Sequence, residues 1–195
     1  MVVVFPTLFY SHRISTFKQI KDDLVKSIYE EKKKDPVGVI ISNQGGWQSQ
    51  PFLGSSDNIV VSTVKDAVLR YFSLNKIFKE DTAIDFRNLW INVNGKGNFN
   101  RSHIHFGCDL SGVLWIKTSK ECGSIEFVSP NVYTQGSVID FYSDEIKEKY
   151  NLYSGMWFTP EEGKIIMFPS SIPHQVHPNR SNEERISVSF NMRLL

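Results

Sequence analysis

From Ile84 to the C-terminus the sequence is a succession of short segments rich in Val, Ile, Phe and Trp, cut apart by Gly, Asn, Ser and Pro. This punctuation constrains the fold more than any other feature of the chain. It predicts strands over Ile84 to Val93, His103 to Phe106, Val113 to Lys117, Ser124 to Val128, Val138 to Tyr142, Lys164 to Phe168 and Arg185 to Met192. The gaps are too short for the crossovers that parallel strands require, so the pairing is antiparallel. For about eight such strands a jelly roll is the natural closure, because two paired sheets protect each other's edges.

The segment before Ile84 has a different period. With Ser15 or Thr16 as N-cap, Phe17, Ile20, Leu24 and Ile28 recur at near-helical spacing, ending in the solvated run Glu30 to Asp35. A second helix is expected from Thr63, with Asp66 as its capping-box partner and Val64, Val68, Tyr71 and Phe72 on the buried side. Helices first and strands afterwards indicate an α+β chain, with helices flanking a β core. Ser129 to Glu162 carries Tyr133, Tyr142, Tyr150, Tyr153 and Trp157 among charged residues and reads as an insertion able to cover a site. It has one weak helical turn at Asp144 to Tyr150.

At 195 residues the chain fits one domain, 1–195. Twenty-two basic against 21 acidic residues leave a net charge of +1, so no global field favours nucleic acid or an anionic membrane. Cys108 and Cys122 are too few for a disulfide framework and fit no zinc-knuckle spacing. The apolar opening Met1 to Phe5 lacks a basic leader and breaks at Pro6, and no run approaches the roughly 18 apolar residues of a membrane span. A cytoplasmic protein with reduced thiols, neither exported nor membrane-embedded, is the expectation. A homodimer is compatible with it.

Four of the five histidines fall in two clusters, His103-Ile104-His105 and His174-Gln175-Val176-His177, while His12 stands alone. On a strand, residues two apart share a face, so His103 and His105 can reach one metal while Ile104 packs behind them. Taken alone, this pattern reads more readily as polar alternation on a solvated face. Prolines flank His174 and His177 and oppose the helix that would align them, so only one is expected to face the site. His174 is the choice, because it follows the buried-looking Ile165-Ile166-Met167-Phe168 and its turn. Two imidazoles from one strand and one from a distant strand make a facial set with open positions. That set suits iron(II) with a co-substrate and oxygen, and zinc fits the same nitrogens.

Arg185 opens a strictly alternating run in which Arg185, Ser187, Ser189 and Asn191 share one face and Ile186, Val188 and Phe190 the other. Taken alone, an Arg at the start of such a strand usually points to solvent; a guanidinium facing into a barrel instead must be paired. Its planar fork suits a carboxylate, with the Ser187 hydroxyl as a further donor. Trp90 and Phe86 are assigned to the core, and Trp47 and Gln48 receive no role in their Gly-Gly loop.

In this order, His103-Ile104-His105, Ser111-Gly112-Val113-Leu114-Trp115-Ile116, Phe168-Pro169-Ser170-Ser171-Ile172-Pro173-His174-Gln175-Val176 and Arg185-Ile186-Ser187 resemble the 2-oxoglutarate and iron(II)-dependent oxygenase superfamily. More narrowly the chain looks like a branch of largely uncharacterised members in which Gly45-Gly46-Trp47-Gln48-Ser49 also recurs. The resemblance implies a double-stranded β-helix core. It implies His103, His105 and His174 as metal ligands, with His105 where the superfamily usually has a carboxylate and Asp109 as the alternative acid. It also implies Arg185 and Ser187 as the anchor of the far carboxylate of 2-oxoglutarate, and Trp115 either flanking that co-substrate or packed in the core.

The implied activity is oxidation of a small-molecule or peptide substrate by O2, most often hydroxylation, with release of succinate and CO2. Two other readings fit the same residues: a three-histidine dioxygenase that uses no 2-oxoglutarate, and a non-catalytic jelly-roll binding module. The fold does not choose the substrate.

Overall fold

In the computed structural model, which describes residues 3–195, the strands form two antiparallel sheets facing each other. Met1 and Val2 of the apolar opening lie outside the described residues. The six-stranded sheet has the order β1 (Tyr10–Arg13), β9 (Lys164–Pro169), β6 (Leu110–Lys117), β11 (Arg185–Leu194), β4 (Ile84–Asn94), β3 (Trp47–Gln48). The five-stranded sheet has the order β2 (Asn43–Gln44), β5 (Phe99–His103), β10 (His174–Val176), β7 (Ile125–Val128), β8 (Gly155–Phe158). Two helices, α1 (Phe17–Lys34) and α2 (Ile59–Leu74), cover the outer face of the larger sheet. This is the jelly-roll double-stranded β-helix expected for such a strand pattern.

Side-chain alternation divides the core into two layers. Leu114 and Ile116 of β6, Ile165 and Met167 of β9, and Ile186, Val188 and Phe190 of β11 pack with Leu24 and Ile28 of α1 and Val64 and Val68 of α2. Val113 and Trp115 of β6 and Ile166 and Phe168 of β9 point the other way, toward Ile125 and Phe127 of the smaller sheet. Strands buried on both faces read as continuous apolar runs, as β6 and β9 do.

Several elements differ from the sequence expectation. α2 starts four residues before Thr63, capped by Asn58, whose side chain accepts from Val60 N. Ile59-Val60-Val61 reads as a β-branched run, but helix propensity differs by only about 0.5 kcal/mol per residue, and burying Val60 and Val61 against the sheet outweighs that. Val138 to Tyr142 is not a strand: Ser137–Phe141 is a 3-10 turn, preceded by another at Val132–Gln135. The expected helical turn is present as α3 (Asp144–Tyr150). The strand predicted from His103 instead ends there.

The short strands β2 and β3, missed in the sequence, take the chain from one sheet to the other through Gly45 and Gly46, whose φ values of +66° and +71° require glycine. No helix of the described residues is long and apolar enough to cross a membrane.

Candidate active site

Histidines 103, 105 and 174 converge between the two sheets, with ligand atoms all within 4.8 Å of one another. His103 and His174 are Cα partners across β5 and β10, which places their rings 4.4 Å apart. His105 arrives differently from the sequence expectation. It lies beyond the end of β5, so shared strand alternation does not align it with His103. The loop is held instead by the His105 N–H, which donates to the Ser170 carbonyl at 3.0 Å, and the ring stands 5.1 Å from both His103 and His174.

Backbone carbonyls set two of the tautomers. His103 Nδ1 lies 2.7 Å from Arg101 O, and His174 Nδ1 lies 2.9 Å from Ile172 O. A carbonyl only accepts, so each Nδ1 carries the proton and each Nε2 keeps a free lone pair. Burial pushes all three imidazoles below their ordinary range: His105 to about 3, helped by His174 and His103, His174 to about 4, helped by His103, and His103 downward. All three are therefore neutral near pH 7, the state in which imidazole binds a metal. Phe168 and Phe127 pack against the His174 ring, at 4.9 and 5.6 Å between centroids. Trp90 is not part of the core as expected: it projects from the inner face of β4 to 5.6 Å from His105, while Phe86 does join the core.

Arg185 faces the same interior and is 1% exposed. Its Nη1 donates to the carbonyls of Cys122, Gly123 and His177. Gly123 permits this approach, since a Cβ there would sit 2.7 Å from Nη1 and 2.2 Å from the His177 carbonyl oxygen. Nη2 has no partner among the described residues. Burial lowers the guanidinium to about 10, which leaves it charged near neutrality. Among the described residues no carboxylate is buried and none forms a salt bridge with Arg185. A buried, uncompensated charge is costly and offers a ready position for an anionic ligand.

Ser187 is buried beside Arg185 on the inner face, opposite Asn92 and Trp115. Asn92 Nδ2 donates to Ser189 Oγ at 3.2 Å, and Asn92 Oδ1 is the other buried polar atom without a partner among the described residues. Trp115 is buried in the inner cluster with Val113 and Phe127.

Two other acid and imidazole groups lie elsewhere. Asp109 Oδ2 accepts from Leu194 N at 2.8 Å, and Asp109 is outside the histidine cluster. The His177 ring pairs with Glu126 at 2.8 Å, so of the two neighbouring histidines only His174 faces the site. A groove of about 900 Å³ is lined by Phe9, Phe127, Tyr133, Tyr142, Phe158 and Ile172 and includes much of the 129–162 segment. The three histidines are not on its wall, although Phe127 and Ile172 touch His174 from it.

The donor set fits a divalent iron: three neutral nitrogens on one side, with the unpartnered Arg185 Nη2 in the same interior for an acidic co-substrate. Comparison with known proteins agrees. The family model described as "Putative 2OG-Fe(II) oxygenase" matches residues 88–191, from the inner-face strand β4 to β11. No curated protein sequence matches the chain.

Among solved structures, a Pseudomonas putida prolyl-4-hydroxylase superposes with a TM-score of 0.64 at 14% identity, covering 96% of this chain and 92% of that one. A Trichoplax adhaerens prolyl hydroxylase, in complex with a hypoxia-inducible-factor peptide, gives 0.62 at 12% identity, covering 95% and 83%. HygX from Streptomyces hygroscopicus, with nickel and 2-oxoglutarate bound, gives 0.55 at 11% identity, covering 96% and 82%. At such identities the likeness is one of fold. The match of the family model across more than half of the sequence goes further: the chain belongs to the 2OG-Fe(II) oxygenase family and is an oxidoreductase whose cofactor and co-substrate are iron(II) and 2-oxoglutarate.

Proposed function

We propose that the chain oxidises a C–H bond of a small-molecule or peptide substrate, most simply by hydroxylation, with conversion of 2-oxoglutarate to succinate and CO2. In this reading His103, His105 and His174 hold iron(II) through the nitrogens that face one another. Bound there, the iron supplies the activation of O2 that couples decarboxylation of 2-oxoglutarate to substrate oxidation. Arg185 receives the far carboxylate on its free Nη2, Ser187 adds a hydroxyl donor and Trp115 walls the co-substrate. The aromatic side chains around His174 and the 129–162 segment keep bulk water from the interior.

The observation that carries this reading is the buried guanidinium with an unpartnered nitrogen and no buried carboxylate among the described residues to neutralise it. Three neutral imidazoles leave the metal's charge uncompensated by the protein, and Arg185 adds to it, so the interior favours a dianion such as 2-oxoglutarate. A three-histidine dioxygenase that needs no 2-oxoglutarate would leave Arg185 without a ligand.

Anaerobic titration of the iron(II) protein with 2-oxoglutarate tests the proposal. Wild type develops a visible charge-transfer band, and Arg185→Ala weakens binding by about 2–5 kcal/mol. Arg185→Lys recovers only part of the loss, because an ammonium lacks the planar fork. Unchanged affinity in Arg185→Ala would refute the co-substrate role. Release of succinate in the presence of candidate metabolites and peptides then identifies the substrate.

A further inference from the structure

The inner face of the larger sheet carries a hydrogen-bonded row that none of these roles uses. Ser170 Oγ and Ser111 Oγ lie 2.7 Å apart, Ser111 Oγ donates to Asn191 Oδ1 at 2.7 Å, and Asn191 Nδ2 donates to Asn88 Oδ1 at 2.9 Å. Because the single Ser111 proton is committed to Asn191, Ser170 is the donor of the first bond. The four residues sit at the end of β9 and on β6, β11 and β4, which are neighbours in that order, and Asn191 is the Cα partner of both Ser111 and Asn88. The row therefore runs straight across the strands.

Ser111, Ser170 and Asn191 are all buried. Apolar side chains could fill this layer with no donors or acceptors to satisfy, so stability alone gives no reason for a polar row here.

One end of the row meets the loop that carries His105. The Ser170 carbonyl accepts from His105 N at 3.0 Å, and Ser170 N donates to Asp109 O at 3.0 Å, so one residue ties down both ends of the 105–109 loop. On the other side Asp109 N donates to Met192 O, and Leu194 N to Asp109 Oδ2. His105 lies outside any strand, so no strand pairing fixes its backbone; the bond to Ser170 does. Ser170 also precedes His174 by a single turn and the start of β10.

We propose that the Ser170–Ser111–Asn191–Asn88 row is a positioning device for His105. It fixes Ser170 laterally on the sheet and, through the Ser170 carbonyl, sets where the His105 imidazole stands relative to His103 and His174. The proposal rests on His105 being a metal ligand. These serines and asparagines touch neither metal nor substrate and act only through the loop.

The test is titration of the metal-free full-length protein with Co(II), read from the visible absorption of the bound ion. It compares wild type, Ser170→Ala, Ser111→Ala and Ser170→Thr, each also in a His105→Ala background. Ser170→Ala and Ser111→Ala are expected to raise the Co(II) Kd on the order of 10-fold and to shift the absorption band, while Ser170→Thr, which keeps the hydroxyl, stays near wild type. In the His105→Ala background the serine changes have no further effect, because their route to the metal is already gone.

An unchanged Kd in the serine variants, or the same rise with and without His105, overturns the proposal while leaving the ligand assignment intact. A wild-type Kd in His105→Ala by itself overturns the ligand assignment and the proposal together. Should Ser170→Ala fail to fold, Ser111→Ala, which breaks the row one strand away from the loop, gives the same reading.

Discussion

On β11 the side chains of Ile186, Val188 and Phe190 pass to the helix side of the sheet, and those of Arg185, Ser187, Ser189 and Asn191 to the side facing the smaller sheet. The first group meets Leu24, Val64 and Val68 in a layer of apolar side chains. The second joins Asn92, Ser111 and Trp90 on the inner face, where Trp90 reaches His105 and two buried polar atoms are left open among the described residues. Both faces are buried, so exposure does not distinguish them. The distinction lies in whether polar groups are absent, satisfied or left unpaired. The helix-covered face supplies stability, and the inner face gives some of it up for a charge and open hydrogen-bond positions.

The sharpest way to break this contrast is to exchange the expected losses. His174→Ala should abolish stoichiometric iron binding, measured as metal content by mass spectrometry, while the chain stays folded. Full occupancy in that variant would remove the histidine cluster from consideration. Phe190→Ala, on the opposite face, should cost about 3–5 kcal/mol in denaturant unfolding and leave the 2-oxoglutarate affinity of the folded protein close to wild type. If Phe190→Ala impaired ligand affinity as strongly as it impaired stability, the two faces would not be separable.

A smaller effect is expected from His105→Asp, which keeps a donor at the site but lowers its charge by one. Iron should be retained and 2-oxoglutarate should bind more weakly, because a less positive centre attracts a dianion less. Equal or tighter anaerobic binding in this variant would contradict the charge argument for the site.

The mildest test uses pH. In the folded, metal-free chain His105 titrates near 3 and His174 near 4, whereas an unfolded histidine protonates at about 6.5. Below that value the unfolded state binds more protons than the folded one. The stabilisation from keeping these rings neutral is therefore whole above about pH 6.5 and is lost as pH falls toward 4 and then 3. Denaturant midpoints of the metal-free protein between pH 7 and 4 should fall less steeply for His105→Ala than for wild type. Parallel curves would mean that His105 is not kept neutral by its surroundings.

Features set by local repetition were legible in the sequence. The alternation from Arg185 to Asn191 separates the two faces of β11, the apolar runs of β6 and β9 announce strands buried on both sides, and the spacing of Phe17, Leu24 and Ile28 gives α1 its buried stripe. The histidine clusters and the arginine were legible as residue types in order. Their convergence was not. Strand alternation alone would bring His103 and His105 together, but the strand stops at His103, and a bond to Ser170, far along the chain, brings His105 back.

Trp90 looked like one more apolar strand residue, because nothing local says which face of β4 will meet a helix and which the histidines. The two-residue strands β2 and β3 are too short to carry a period, and only their partners β5 and β4 make them strands. The row from Ser170 to Asn88 joins residues that have no sequence relation at all. Periodicity is set by neighbours along the chain, so the sequence determines which side chains share a face. Which atoms then face each other, and which buried donor is left unpaired, depends on strand register across the sheets and is decided only when the whole chain has closed.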